Sequence, residues 1–334
     1  MNTINPDQAG MRINMQEGFS LIEIMVALAL GAIILLGVTE VFTANSQTRM
    51  EIERTGRQIE SGAYALGLMD NDITNAGYWG EAGEQPAGGT LPAVCPGMNA
   101  DLTAAATELV DTMGYPIQGE DALLSSCVAP KAGTDFLAVR RAASCSLGST
   151  DCDTANSNFY LQVNACFEPS DSSLPLPGVL KMSTVIADLD YTQRDCTTLA
   201  PAYRMLSRVY FVNDDDELVR AELSRDSGAS AYVETSMVDG VETLRLEYGL
   251  DTTGDGQVDL HTDSPSGTQC ANVVMVRLHM VVRNLEPTGG YSDTRTYSVG
   301  GASYTVPDAY HNNTRQVYAR TVRIRNVDGR RDAQ

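Results

Sequence analysis

The sequence predicts an α+β chain: a long N-terminal helix, apolar and then amphipathic, packed on a large, mostly antiparallel β-sheet head. Three observations predict it. Residues 19–42 read FSLIEIMVALALGAIILLGVTEVF, an apolar run interrupted by Glu23 and Glu40. Apolar residues then recur on a helical period, with no proline between residues 19 and 74. Beyond residue 134, segments alternate apolar and polar residues between polar turns, which is the strand period.

The apolar run is long enough to span a bilayer, which takes roughly 20 helical residues. A carboxylate inside such a run is costly in lipid, so Glu23 is a functional residue awaiting a partner. A signal anchor whose Glu23 reaches the headgroups is the plainer alternative. Residues 1–18 contain no apolar core, and Arg12 is their single basic residue, beside Asp7 and Glu17. A secretory signal places its apolar region before the cut. Here the apolar run begins only after Gly18, so cutting between Gly18 and Phe19 leaves the helix on the product.

Past residue 42, Ile52, Ile59, Ala63, Leu66 and Ile73 recur at three-, four- and seven-residue spacings on one expected helix face. Glu51, Glu53, Arg54, Arg57 and Glu60 take the other side, and Gly77 is the expected C-cap. Residues 19–74 would make a helix of roughly 84 Å at 1.5 Å per residue. Gly31 and Gly37 allow close helix contacts or bending, but their spacing is no recognised dimer motif.

Residues 78–334 form the expected globular head, large enough for two lobes. Residues 80–133, rich in Gly, Pro, Ala and Ser, read as irregular surface segments with a short helix at 100–110. Strands are expected at 135–142, 206–212, 218–223, 241–249, 272–283 and 317–325. In the fifth, Val274, Val276, Leu278, Met280 and Val282 share a face opposite Arg277, His279 and Arg283; in the fourth, Leu244, Leu246, Tyr248 and Leu250 do. Asp214–Glu217 is an expected solvated hairpin loop.

Seven cysteines, at 95, 127, 145, 152, 166, 196 and 270, all lie in the head, and none forms a CxxC or a zinc spacing with histidine. A domain outside the cytoplasmic membrane meets an oxidising compartment, so disulfides are expected. Proximity along the chain favours Cys145–Cys152, Cys166–Cys196 and Cys95–Cys127, with Cys270 odd in its strand, although sequence alone does not determine connectivity.

No cofactor is required by any motif, and calcium is the one small-ligand expectation. Asp251, Asp255 and Asp259 stand at positions 1, 5 and 9 of an EF-hand-like loop, with Gly256 at position 6. Thr253 and Thr262 stand where that motif wants Asp or Asn and Glu, and the loop falls between strands. A surface calcium site and a metal-free Asp/Gly turn therefore both stay open.

The net charge of −20 argues against nucleic acid as a partner. Arg315, Arg320, Arg323, Arg325, Arg330 and Arg331 make the C-terminal end locally basic, either to balance the chain's own carboxylates or to meet an acidic neighbour. No GxSxG, HExxH, P-loop or GxGxxG is present and the three histidines are scattered, so no enzyme is expected.

Gly18, Phe19 and Glu23 within GFSLIEIMVALALG resemble the class III signal of type IV pilins and pseudopilins. The likeness implies cleavage after Gly18 by a prepilin peptidase and methylation of the new Phe19 amino group. Glu23 could then meet the terminal ammonium of a neighbouring helix, a pair tolerable together and costly apart. GVETLRLEYGLDTTGDGQVD, VVMVRLHMVVR, VYARTVRIRN and the earlier DITNAGYWG resemble the PilW family of large minor pilins, whereas residues 85–200 carry few family marks.

A pilin-like fold follows from that resemblance. So does a role in initiating a type IV pilus at or near its tip, supporting motility or adhesion. The implied partners are other minor pilins, the major pilin, the assembly platform and a large non-pilin tip adhesin. The implied location is the bacterial inner membrane with a periplasmic head, then the pilus tip. A J-type minor pseudopilin of a type II secretion system and a membrane-anchored adhesin outside any filament are the alternatives.

Overall fold

The structure is a computed structural model that describes residues 18–327 except 84, 86, 120–126, 151, 153–157, 170–174 and 227. Arg12 and most of the leader, and Arg330 and Arg331, lie outside the described residues. The chain divides into two compact units, Met1–Glu53 and Arg54–Gln334.

Helix α1 runs Leu21–Thr74, as the unbroken run of helix-compatible residues requires. In the first unit its side chains are exposed, including Ile33, Leu35, Leu36 and Phe42. This helix contains a stretch long and apolar enough to cross a membrane, and none of that stretch is buried inside the chain. Exposed apolar surface on that scale is unfavourable in water. Its natural surroundings are lipid or other helices.

In the second unit the elements are α2 (Leu102–Asp111), β1 (Ile117–Gln118), β2 (Leu137–Ser146), β3 (Tyr160–Val163), β4 (Leu180–Ser183) and β5 (Ala202–Val212). There follow β6 (Glu217–Asp226), β7 (Ala229–Asp239), β8 (Val241–Leu250), β9 (Leu260–Thr262) and β10 (Val273–Arg283). β11 (Thr296–Val299), β12 (Ala302–Thr305) and β13 (Arg315–Arg323) complete the set. Among the described residues they form a seven-stranded sheet (β1-β2-β5-β3-β4, with β6 and β7 added beside β5), a four-stranded sheet (β13-β10-β8-β9) and the hairpin β11-β12. Every named strand pairing is antiparallel, as the alternating pattern and short polar turns predict.

Two apolar cores result. One lies between the last turns of α1, the four-stranded sheet and one face of the seven-stranded sheet, gathering Leu66, Met69, Ile73, Val139, Leu246, Val276, Leu278 and Met280. The other covers the opposite face of the seven-stranded sheet with α2 and residues around Trp79 and Val94. Period-two alternation decides which residue serves which core: Leu137 and Val139 point to the first, Ala138 and Ala142 to the second.

Four expectations need correction. The buried stripe of α1 is Gln58, Gly62, Ala65, Leu66, Met69, Asp72 and Ile73, and it leaves Ile52, Ile59 and Ala63 exposed. The partner surface selects the stripe. Tyr318 lies flat against Gly62, where an added Cβ would come 2.4 Å from Cζ of the ring. The buried amide of Gln58 donates to the carbonyls of Val282 (2.7 Å) and Thr314 (3.1 Å), so a polar residue occupies an inward position.

Residues 80–133 are not a plain surface segment, since Val94, Met113, Tyr115 and Ile117 are buried. The cause is Arg140 on β2, fully buried, which donates to the carbonyls of Tyr115, Ala93 and Val94 and to the side chain of Gln118. Burial pushes its pKa down to about 10. The Asp214–Glu217 loop does join β5 to β6, but Asp216 turns inward at φ +61° and pairs with Lys131 and Arg283. Cys270 sits in a 3-10 turn, Gly267–Asn272, ahead of β10 instead of within it.

Candidate assembly site and its support

The junction comes first in the chain. Gly18 and Phe19 are exposed, and a Cβ built at Gly18 meets nothing within 4 Å. Nothing among the described residues therefore requires glycine there. The chain turns into α1 at Ser20, whose carbonyl accepts from the backbone N–H of Glu23 (3.0 Å) and Ile24 (3.2 Å). Glu23 thus stands in the first turn, where unsatisfied N–H groups favour a carboxylate. Among the described residues no side chain pairs with it. The helix thus presents this acid four residues after Phe19.

The helix end that carries DITNAGYWG is fixed to the head letter by letter. Asp72 is buried and receives Nη1 of Arg208 at 2.8 Å on each oxygen, Arg141 at 2.9 Å and the hydroxyl of Tyr210 at 2.6 Å. Arg141 on β2 and Arg208 and Tyr210 on β5 share the sheet face toward α1, as their spacing of two and the register Leu137↔Tyr210, Val139↔Arg208 dictate. Burial alone would raise the Asp72 pKa; the charges of Arg208 and Arg141 and the bonds from Arg208 and Tyr210 outweigh it, and the carboxyl is held below its ordinary value.

Ile73, Ala76 and Trp79 then fill the cores. Gly77 takes φ +73°, which a side chain resists, and its N–H donates to the Arg140 carbonyl at 3.0 Å. Higher up, Arg54 (2.8 Å) and Arg57 (3.2 Å) grip Glu286 in the β10–β11 connection.

A second buried charge cluster joins β8 and β13 of the four-stranded sheet to the segment ahead of β11. Arg315 makes a two-point contact to Glu242 (2.7 and 2.8 Å), and Asp293 lies 3.6 Å from it. Arg315 therefore balances the chain's own acid, and so does Arg320, 2.9 Å from Asp70. Arg323 donates to the Gly256 carbonyl at 2.8 Å. Histidines 261 and 279, far apart in sequence, flank one carboxylate, Glu247, at 3.0 and 4.0 Å. Antiparallel pairing of β8 with both β9 and β10 brings them together. Burial holds the His279 pKa below its ordinary value.

The cysteines pair as Cys95–Cys127, Cys145–Cys152 and Cys166–Cys196, with Cα separations of 6.4, 6.1 and 4.8 Å. Cys270 is buried, its Sγ 3.4 Å from the Pro265 carbonyl.

In the 251–259 loop, Asp251 accepts from the backbone N–H of Gly254 (2.6 Å) and Gly256 (3.0 Å) on its two oxygens. Asp259 accepts from the N–H and hydroxyl of Thr252 (2.8 and 2.9 Å), bonds that hold its pKa below the ordinary value. Asp255 caps Gln257 N at 2.8 Å. These carboxylates close the turn by their own backbone bonds. Among the described residues no group of three or more His, Cys, Asp or Glu is placed to hold a metal ion.

Asp72, Gln58, Arg140 and Glu242 carry no motif that singles them out in the sequence. Their shared signal is a polar residue at an inward position of a helix or strand.

Comparison with known proteins agrees with this arrangement. The family model for type IV pilus-assembly protein W matches residues 209–326, and that for the prokaryotic N-terminal methylation motif matches residues 13–39. The first spans β8, β10 and β13, and the second the junction, Glu23 and the start of the apolar run. Among solved structures, a type IV-like pilin from Thermus thermophilus is similar at 10% identity, covering 81% of this chain and 97% of that chain, with a TM-score of 0.37. No curated protein matches the chain.

Proposed function

We propose that this chain, a type IV pilin-like protein with a PilW-type C-terminal region, is a minor pilin that helps initiate pilus assembly and sits at or near the filament tip. The observation that carries the reading is the exposed Gly18–Phe19 junction, followed at once by an unburied apolar helix with Glu23 in its first turn. That arrangement makes sense for a protein cut at Gly18, held in the inner membrane, and then drawn into a bundle of like helices.

Prepilin peptidase would cut after Gly18 and methylate Phe19. Glu23 would take the ammonium of a neighbouring Phe19-type terminus, since two charges buried together avoid the penalty each bears alone. The assembly platform, the major pilin and other minor pilins are the partners this requires. The role is structural, without catalysis. A large head braced by two ion clusters and three disulfides suits a subunit at a filament end, where nothing need stack above it and where a non-pilin adhesin can be carried for adhesion or motility.

Mass spectrometry of the subunit recovered from sheared filaments tests this reading. A mature N-terminus at methylated Phe19, in few copies per filament, supports it. A chain retaining residues 1–18, or one absent from filaments, contradicts it. Loss of protein secretion with normal pili on deletion would favour a J-type pseudopilin instead.

A further inference from the structure

The β11-β12 hairpin rests on the four-stranded sheet without belonging to it. β11 pairs with β12 alone, and a two-stranded hairpin is marginal in water unless a surface supports it. Its base is tied down: Asp293, just ahead of β11, accepts from Nε of Arg295 (2.9 Å) and from the hydroxyl of Tyr297 (2.6 Å). Its tip is the two-residue turn Gly300–Gly301, at φ +56° and +80°, the positive values that a type I′ turn requires. That tip sits on β8 and β10. A Cβ added at Gly300 would come 3.0 Å from Cβ of Arg245 and 3.2 Å from Cδ2 of His279. Val299, beside the turn, is buried.

The seat of the tip can take a proton. His279 is half-buried, and its Nε2 is buried and makes no hydrogen bond among the described residues. Arg245 stands directly opposite on β8, paired with Asp135 at 2.7 Å. Glu247, also on β8, lies 4.0 Å from Nε2, beyond hydrogen-bond reach. It already accepts from Arg277 of the histidine's own strand at 3.0 Å, and His261 of β9 lies 3.0 Å from it. β13 sets the uncharged Ala319 opposite, and the hairpin brings Gly300, which has no side chain. An imidazolium must donate from both nitrogens. Here Nε2 would lack an acceptor, with two guanidinium groups on the neighbouring positions. Burial holds the His279 pKa below its ordinary value, and lifting the tip would bring water to the ring. The uncovered ring thus takes the proton more readily than the covered one, so mild acid favours the uncovered form.

We propose that β11-β12 is an acid-released flap: at neutral pH its tip stays seated on His279, and protonation of that ring lifts it while the sheet beneath stays folded. The base remains attached. Burial alone would raise the Asp293 pKa, but the bonds from Arg295 and Tyr297 hold it below its ordinary value, so this carboxylate keeps its charge in mild acid. The lift uncovers the face of β8 and β10 at Arg245 and His279.

Amide hydrogen exchange of the full chain in detergent, corrected for the intrinsic pH dependence of exchange, tests it. Between pH 7.5 and pH 5 the protection of β11 and β12 should fall several-fold while β8 and β10 keep theirs. His279→Gln keeps a polar side chain that takes no proton, and should leave the hairpin protected at both pH values. His261→Gln removes the other histidine beside Glu247 and should leave the acid loss in place. Gly300→Ala crowds the seat and should show the loss already at pH 7.5. Equal protection of the wild-type hairpin at the two pH values overturns the proposal. So does a loss shared by β8 and β10, which is unfolding of the whole head, or a loss that persists in His279→Gln or vanishes in His261→Gln. Should His279→Gln fail to fold, seen as an unprotected β10 at pH 7.5, the wild-type comparison and Gly300→Ala decide: full protection of the hairpin in Gly300→Ala also overturns the proposal.

Discussion

Nη1 of Arg208 lies 2.8 Å from each carboxylate oxygen of Asp72, so a strand of the seven-stranded sheet holds the last turn of α1 by a shared charge. Arg141 and Tyr210 complete the shell. Removing the acid takes the carboxylate from the half-buried Arg141 and leaves Arg208 with Glu222 alone. Asp72→Ala should destabilise the head by about 3–5 kcal/mol, the usual cost of breaking a buried pair from one side. The denaturant midpoint of the full chain in detergent measures it; a loss under about 1 kcal/mol would mean solvent replaces the acid. Because the folded pKa lies below the ordinary 3.8, this contribution is present above pH 3.8 and is lost as pH falls through the lower folded value.

Gly62 is required by Tyr318. An added Cβ would come 2.4 Å from Cζ of the half-buried ring. Gly62→Ala should cost about 1–3 kcal/mol despite the better helix propensity of alanine. Combined with Tyr318→Ala, the total should fall short of the sum of the single effects, since the clash is then gone. Strict additivity of the two thermal shifts would show that the ring moves aside.

His279 makes the head sensitive to mild acid. Its pKa is lowered from 6.5 by burial, with the Glu247 charge opposing and Arg277 assisting. The folded state thus binds the proton less readily than the unfolded one. Stability should fall as pH drops from 6.5 toward the lower folded value and then level off. Thermal midpoints between pH 7.5 and pH 5 should show that slope, flattened by His279→Gln. An identical slope in the variant would place the proton elsewhere.

How legible this protein is in its sequence depends on what each residue answers to. Gly18, Phe19, Glu23 and the apolar run are exposed, answering to no packing partner among the described residues, so their pattern stands uncovered in the sequence. Strands β8 and β10 alternate strictly because one face meets a core. The α1 stripe misleads because its burial is decided by Tyr318 and by the carbonyls of Val282 and Thr314, not by side-chain apolarity: Gly62 and Gln58 go in, Ile59 stays out. Asp216 likewise sits in an acidic run that reads as solvated until Lys131 and Arg283, distant in sequence, supply the cations. Long-range partners of single polar residues leave no local trace.

The 251–259 loop should hold its form without metal, since both oxygens of Asp251 and one of Asp259 already accept from the loop's own donors. Millimolar calcium should leave the thermal midpoint of the full chain unchanged, while Asp251→Ala should lower it. A calcium-dependent rise that disappears in Asp255→Ala would establish a cation site there instead.

On the proposed reading, Glu23 is the acid that a neighbour's terminal ammonium meets. Glu23→Ala should leave the head folded, the chain in the membrane and cleavage after Gly18 intact, because the change only makes the apolar run more apolar. Quantifying the variant in sheared filaments against its abundance in the membrane is the decisive measurement. Loss of incorporation, or of pilus initiation, at normal membrane abundance is the predicted result; normal incorporation of the alanine variant would contradict the pairing.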